Sequence, residues 1–219
     1  MRKFLRLIGI LMMGITAAVT LLGGVGTTCV ALNPTNYESM KAIASLQWLY
    51  ILYVLIGVAL GVFGIRATIW LAKGKAGGEK SALLVLIGGV VVGGIHMATS
   101  RALRGSSMPV DGVVYITVLT LVVFLLFELP KVKGMALFEK DSPDTGDKAG
   151  GITAIVIGLL VLGVQYWAGP THLMDGVNYA DAFHQALAAV GSCAVLLGSW
   201  QIARSHLPGR TAPSFRLQR

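Results

Sequence analysis

The sequence predicts an all-α polytopic membrane protein, a bundle of six transmembrane helices joined by short connectors. Three observations carry this. Only 13% of the residues are charged while 55% are hydrophobic, and a soluble domain carries about a quarter charged residues. The uncharged residues fall into six long intervals, 7–37, 42–65, 81–100, 112–127, 149–174 and 182–203. The basic residues alternate between the connectors in the way the positive-inside rule requires.

A helix that crosses the roughly 30 Å hydrocarbon core needs about 20 apolar residues. Five of the intervals meet this length. The fourth, of 16 residues, does so once Asp111 and Glu128 are placed at the two interfaces. Backbone N–H and C=O groups in lipid must be paired within their own segment, so these runs are helices. Barrel strands would be about ten residues long and would alternate apolar with polar, and nothing here does. The spans are expected at about 7–29, 45–66, 81–101, 109–129, 150–169 and 180–203, within one domain over 1–204.

The first span follows Met1, Arg2 and Lys3 and ends near "CVA" at Cys29–Ala31, which imitates a signal peptide with a small-residue cleavage site. Its apolar run exceeds the roughly 7 to 15 residues of a signal core, so an uncleaved span is expected. In the fourth connector, Leu129 before Pro130 reads as a helix stop. The following stretch, "PKVKGMALFEKDSPDTGDKA" from Pro130 to Ala149, is expected as a loop, solvated and mobile through its polar "EKDSPDTGDK" portion. The segment 205–219, with three arginines and two prolines, reads as a basic cytoplasmic tail.

Fifteen of the 18 Lys and Arg residues fall on one side of a six-span chain, leaving Lys41, Arg101 and Arg104 on the other. The rich side is expected to be cytoplasmic, with both termini inside, in the plasma (inner) membrane. The net charge of +8 then reflects anchoring to anionic headgroups and not a nucleic-acid partner. Trp48, Tyr50, Trp70, Tyr166, Trp167 and Trp200 lie near span ends, where an interfacial aromatic belt belongs.

Glycine is abundant at 28 residues. Gly57 and Gly61, and Gly89 and Gly93, form GxxxG pairs, with Gly14, Gly158, Gly163, Gly191 and Gly198 as further small positions. Small residues let helix backbones approach closely in lipid. Packing within one bundle is the plain reading. Contact with other membrane subunits, or a homo-oligomer, through the same faces is the sharper one.

The connector "IHMATSRALRGSSMPVDG" concentrates the polar chemistry. At helical spacing His96, Ser100 and Arg104 share one face. His96 lies about five residues, roughly 7 Å, from the span end, a depth at which a hydrogen-bonded structural imidazole is expected over a ligand. Gly105 suits a C-cap, Ser106 or Ser107 an N-cap, Pro109 the first turn of the next span and Asp111 its positive dipole end. Two guanidinium forks beside a helix amino end could instead hold a carboxylate or phosphate. His96, Ser100, Arg101, Arg104 and Asp111 are therefore the candidate anion- or ligand-binding residues, and pairing of the arginines with acids of the same chain is favoured. In the last outer connector His172, Asp175, Asp181 and His184 are weak metal candidates, because their spacing matches no closed site. Asn178 or Asp181 can cap the sixth span there.

No cofactor is predicted. His96 and His184 could be imagined as axial haem ligands, but a two-haem carrier would also want ligands near the inner side. Cys29 and Cys193 differ in depth by more than a disulfide spans and are expected as free thiols. The spans hold no central Asp, Glu, Lys or Arg, and Gln165 is the most polar residue well inside the fifth. That argues against an ion-driven pump. With no catalytic motif either, the expectation is a structural or accessory subunit in a membrane assembly. The alternative is a small-molecule or anion binding bundle with its site at the non-cytoplasmic face.

Overall fold

The computed structural model describes residues 1–133, 135, 137–138, 143–169, 173–174 and 176–206. They form an all-α membrane bundle. Its long helices are α1 (Arg2–Leu32), α2 (Gln47–Ala72), α3 (Gly78–Arg104), α4 (Val110–Phe127), α6 (Pro143–Leu162) and α9 (His184–Ser205). Three single-turn helices lie between them: α5 (Pro130–Lys133), α7 (Val164–Trp167) and α8 (Tyr179–Ala182). Two residues each of β1 (Leu173–Met174) and β2 (Val177–Asn178) pair antiparallel, with Leu173 opposite Asn178.

Five of the long helices, all but α6, are long and apolar enough to cross a membrane. The α6 helix begins in the charged "PDTGDK" stretch, so its apolar part starts only at Ala149. It then breaks at Gly163, and α7 continues the path. The fifth segment was expected as one helix over 150–169. The break leaves a carbonyl at Leu160 that receives the indole Nε1 of Trp167 at 3.0 Å.

The second span is preceded by a 3-10 segment, Glu38–Leu46, and its α-helix runs from Gln47, close to the expected start. Two further expectations are corrected. The sixth starts at His184 and not at 180: the Asn178 side chain accepts from the Ala180 and Asp181 N–H groups and so caps α8 instead. The connector after α4 is not a loop as far as Ala149, since α6 starts at Pro143, where a proline in the first turn and the following Asp144 favour helix initiation. Leu137 and Phe138 in that connector are buried, with Phe138 stacked on Phe124 at 5.9 Å. Of the tail, residues 207–219 lie outside the described residues.

The bundle is organised around α1, which packs on α2, α4 and α6. On the far side α3 bridges α2 and α4, while α9 packs chiefly on α6. The α1 start, the α2–α3 turn, the α4–α6 connector and the α9 end lie together and form a basic end that carries Arg2, Lys73, Lys131 and Arg204. The larger apolar core lies there, built from Ile10, Met13, Leu71, Leu86, Phe124 and Phe127. A smaller cluster of Ala31, Ile43, Tyr50 and Tyr53 closes the opposite, charge-poor end.

Glycine sets how near the helices come. A Cβ on Gly61 would stand 2.7 to 2.9 Å from the Cβ, Cα and N of Leu21, so α1 and α2 touch backbone to backbone. Gly158 and Gly191, and Gly151 and Gly198, make the same approach between α6 and α9. Gly89 and Gly93 receive Thr117 and Val114 of α4. The predicted GxxxG faces are thus used within the chain. Three threonines inside the spans are bonded locally: Thr68, Thr117 and Thr153 each donate to the carbonyl four residues earlier. Thr16 and Thr120 bond each other across α1 and α4 at 2.7 Å. Of the expected aromatic belt, Trp48, Tyr166, Trp167 and Trp200 are exposed, but Tyr50 is buried. Trp70 lies under the Arg66 guanidinium, 4.4 Å from its carbon to the ring centroid.

The α1–α2 contact is testable. Gly61→Val forces a branched side chain into the Leu21 backbone and is expected to cost about 1–3 kcal/mol. Gly94→Val, where a Cβ meets nothing within 4 Å, is expected to cost much less. Unfolding in mixed detergent micelles checks this, and equal losses would mean that the close approach is not what holds the pair.

Candidate functional site

The charge-poor ends of α2, α3 and α4 carry most of the residues singled out in the sequence, and they divide onto two faces of α3. His96 and Ser100 face α2. The His96 ring stacks on Tyr53, with centroids 4.3 Å apart and planes at 17°, and meets the edge of Tyr50 at 5.2 Å. Ser100, almost fully buried, shares a 2.8 Å hydrogen bond with the Tyr50 hydroxyl. The Tyr53 hydroxyl lies 3.2 Å from Thr99 Oγ1. Because Thr99 spends its proton on the Ile95 carbonyl, Tyr53 is the donor in that bond. His96 was expected as a hydrogen-bonded imidazole. Its two ring nitrogens have no hydrogen bond among the described residues, and aromatic contact holds the ring instead.

Arg101 faces α4. Its Nε donates to Ser107 Oγ at 2.8 Å, and its Nη2 donates to Asp111 Oδ2 at 3.2 Å and to the Tyr115 hydroxyl at 3.4 Å. Ser107 in turn donates to the other Asp111 oxygen. Serine, carboxylate and guanidinium thus form a closed ring of three bonds, and both Asp111 oxygens have a protein donor. The ring joins the last turn of α3 to the first turn of α4 around the connector, which Gly105 enters with φ +69° and its N–H on the Arg101 carbonyl at 2.8 Å. The C-cap and the first-turn acid stand as expected. Ser107 does not cap α4, since its hydroxyl is turned to Asp111, and Pro109 occupies the N-cap position itself.

Arg104 lies apart from this ring. Its Nη2 donates to the Met108 carbonyl at 3.3 Å, and its buried Nε has no hydrogen-bond partner among the described residues. The favoured pairing of both arginines with acids is therefore met by Arg101 only. Of the other described acids of this end, Glu38 pairs with Lys41 of its own segment, and Asp181 is exposed and bonded to neither arginine.

Of the weak metal candidates, His172 and Asp175 lie outside the described residues. Asp181 and His184 are exposed at α8 and at the start of α9. No group of three or more His, Cys, Asp or Glu side chains comes together among the described residues. Cys29 and Cys193 are free and exposed. The hydroxyls of Tyr50, Tyr53, Ser100 and Ser107 are each engaged in a hydrogen bond within the cluster. What the arrangement does chemically is satisfy buried polar groups while pinning α3 to α2 and to α4.

Tyr50, Tyr53, Ser107 and Tyr115 were not singled out as partners from the sequence. The spacing of Tyr50 and Tyr53, three apart on one face of α2, was the available signal. No protein-family model, no curated protein and no solved structure matches the chain.

Double-mutant cycles separate the two faces. Tyr50→Phe with Ser100→Ala is expected to couple by about 0.5–1.5 kcal/mol, a buried hydrogen bond. The Arg101→Ala and Asp111→Ala cycle is expected to couple by no more than about 1 kcal/mol, because the Arg101 side chain is 50% exposed. A Tyr50–Ser100 coupling near zero, read from the same unfolding measurement, would mean that bond is not formed.

Proposed function

We propose that the chain is a non-enzymatic membrane subunit that packs in a larger membrane assembly, with α9 as the helix that meets its partner. One observation carries this reading. The α9 helix is the least enclosed of the candidate spans and packs chiefly on α6, while Val190, Leu196, Leu197 and Trp200 are exposed along it. A closed bundle would enclose its last helix between two neighbours. Here most of the circumference of α9 is left for lipid or for another protein.

The polar cluster supports the same reading by how it is used. Arg101, the stronger half of the proposed anion site, already holds a carboxylate of its own chain, so an external anion would have to displace Asp111. That weighs against a small-molecule bundle with its site at this end. The basic residues at the opposite end support an orientation with the α1 start and the α9 end in the cytoplasm of a cell whose plasma (inner) membrane holds the protein.

Two measurements test these statements. A photo-crosslinking residue at Leu197, activated in native membranes, is expected to give a protein adduct heavier than the 23.1 kDa chain, and the same partner is expected to co-purify in mild detergent. A solitary monomer carrying lipid adducts only would sink the subunit reading. For orientation, in a chain carrying Cys29→Ser and Cys193→Ser, Lys41→Cys is expected to react with a membrane-impermeant maleimide in intact cells, and Lys80→Cys only after permeabilisation. The reverse pattern would invert the topology.

A further inference from the structure

At the basic end, α1, α2, α6 and α9 do not close fully on one another. They leave a half-open cleft of about 380 Å³, within the range of small-ligand sites. Its walls are of two kinds. Deeper in the bundle they are apolar and smooth, with Gly14, Gly150, Ala154 and Ile157 alongside Ile65 and Ile69. The last two are also exposed on the outer face of α2, so the apolar part of the cleft is continuous with the lipid-facing surface. Toward the membrane edge the walls become polar, with Lys73 at the end of α2 and Gln201 and Arg204 in the last turns of α9.

The charges of this rim are unmatched. The side chains of Lys73 and Arg204 make no hydrogen bond or ion pair among the described residues, in contrast to those of Arg101, Lys41 and Lys133, which each hold a carboxylate. Asp147 also borders the cleft, which leaves two cations against one carboxylate. Next to the rim, buried Arg6 donates from Nη2 to the carbonyl of Ala72, one of the lining residues, at 3.0 Å. The cleft thus presents positive potential at one end and hydrocarbon at the other. That polarity suits an amphiphile with an anionic head. A divalent cation would face net positive charge there, and a wholly apolar ligand would leave the cationic rim unmatched.

We propose that this cleft binds one anionic phospholipid of the adjacent leaflet. Its phosphate lies between Lys73 and Arg204, with the Gln201 amide as a further donor, and the start of an acyl chain lies along Ile65, Ile69 and Ile157. A guanidinium fork and an ammonium converge well on phosphate oxygens, and cations at this depth act on anionic headgroups. The site does not depend on a partner subunit, so it stands or falls apart from the reading of α9.

Native mass spectrometry of the full chain, released from detergent, tests the site with three probes: phosphatidylglycerol, phosphatidylcholine and glycerol 3-phosphate. The wild type is expected to retain one phosphatidylglycerol in preference to phosphatidylcholine, with no retention of glycerol 3-phosphate. The double variant Lys73→Gln with Arg204→Gln is expected to bind phosphatidylglycerol roughly tenfold more weakly. Both side chains are exposed, so the fold is expected to survive. Lys3→Gln with Lys80→Gln removes the same charge away from the cleft and is expected to leave binding unchanged. Four results would each overturn the proposal: undiminished binding in the first double variant, an equal loss in the second, equal retention of phosphatidylcholine, or binding of glycerol 3-phosphate as tight as that of the lipid.

Discussion

Helices in hydrocarbon gain nothing by hiding apolar surface from one another, because lipid tails are as apolar as leucine. What holds this bundle is how closely its backbones can approach, and that is set by where side chains are missing. The α1 helix is the hub because it meets three neighbours at such places: Leu21 against Gly61 of α2, Gly23 beside Val113 of α4, and Gly14 beneath Thr153 of α6. The α6–α9 pair repeats the device with Gly158 beside Gly191 and Gly151 beside Gly198. The remaining features follow from this contact pattern. Arg6 reaches the Ala72 carbonyl only because α1 and α2 run close to their common end, and Thr16 reaches Thr120 only because α4 lies against the hub.

Polar groups are used differently at the two ends. At the charge-poor end, Arg101, Ser107 and Asp111 close on one another, and the hydroxyls of Tyr50 and Tyr53 are consumed by Ser100 and Thr99. A cluster so satisfied in a low-dielectric setting fixes geometry. At the basic end some cations are matched: the Glu128 carboxylate beside Lys133 holds its amine above the ordinary range. Lys73 and Arg204 are not, and they flank the cleft between α2 and α9. The difference is one of supply. Four acids and three bases were available at the first end in the expected topology, whereas the second carries a large excess of bases that its own acids cannot neutralise.

The α6–α9 hairpin adds an asymmetry to this design. Four helices enclose a shared core at the basic end, and the hairpin is fastened to that body through α1 and α2 and not wrapped into it. Its inner seam is made of glycine and leaves no room for anything else. Its outer face is lined by large apolar side chains. The same arrangement leaves the cleft open, since α9 packs chiefly on α6 and not on α2.

The sequence by itself determined the class and the rough limits of the helices. Lipid admits only helices, and charged residues mark where each must leave it, so most of 7–37 lies in α1 and 81–100 became most of α3. It also identified Gly105 as a cap and Asp111 as a first-turn acid, because those roles depend on neighbours in the chain. It did not show where one side chain meets another far along the chain. Tyr50 read as part of an interfacial belt and is buried, because α3 presents Ser100 and His96 to that face of α2. Leu137 and Phe138 lie in a stretch read as a loop, yet they fill the core beside Phe124. Arg101 and Arg104 are three residues apart on one helix and looked equivalent, but only Arg101 is turned toward the next helix and its acid. Local pattern reports depth and helix ends, since both are set by the nearest few residues and the solvent. Which faces meet is decided by how six helices share their few sites of close approach, a property of the whole bundle that only the tertiary structure contains.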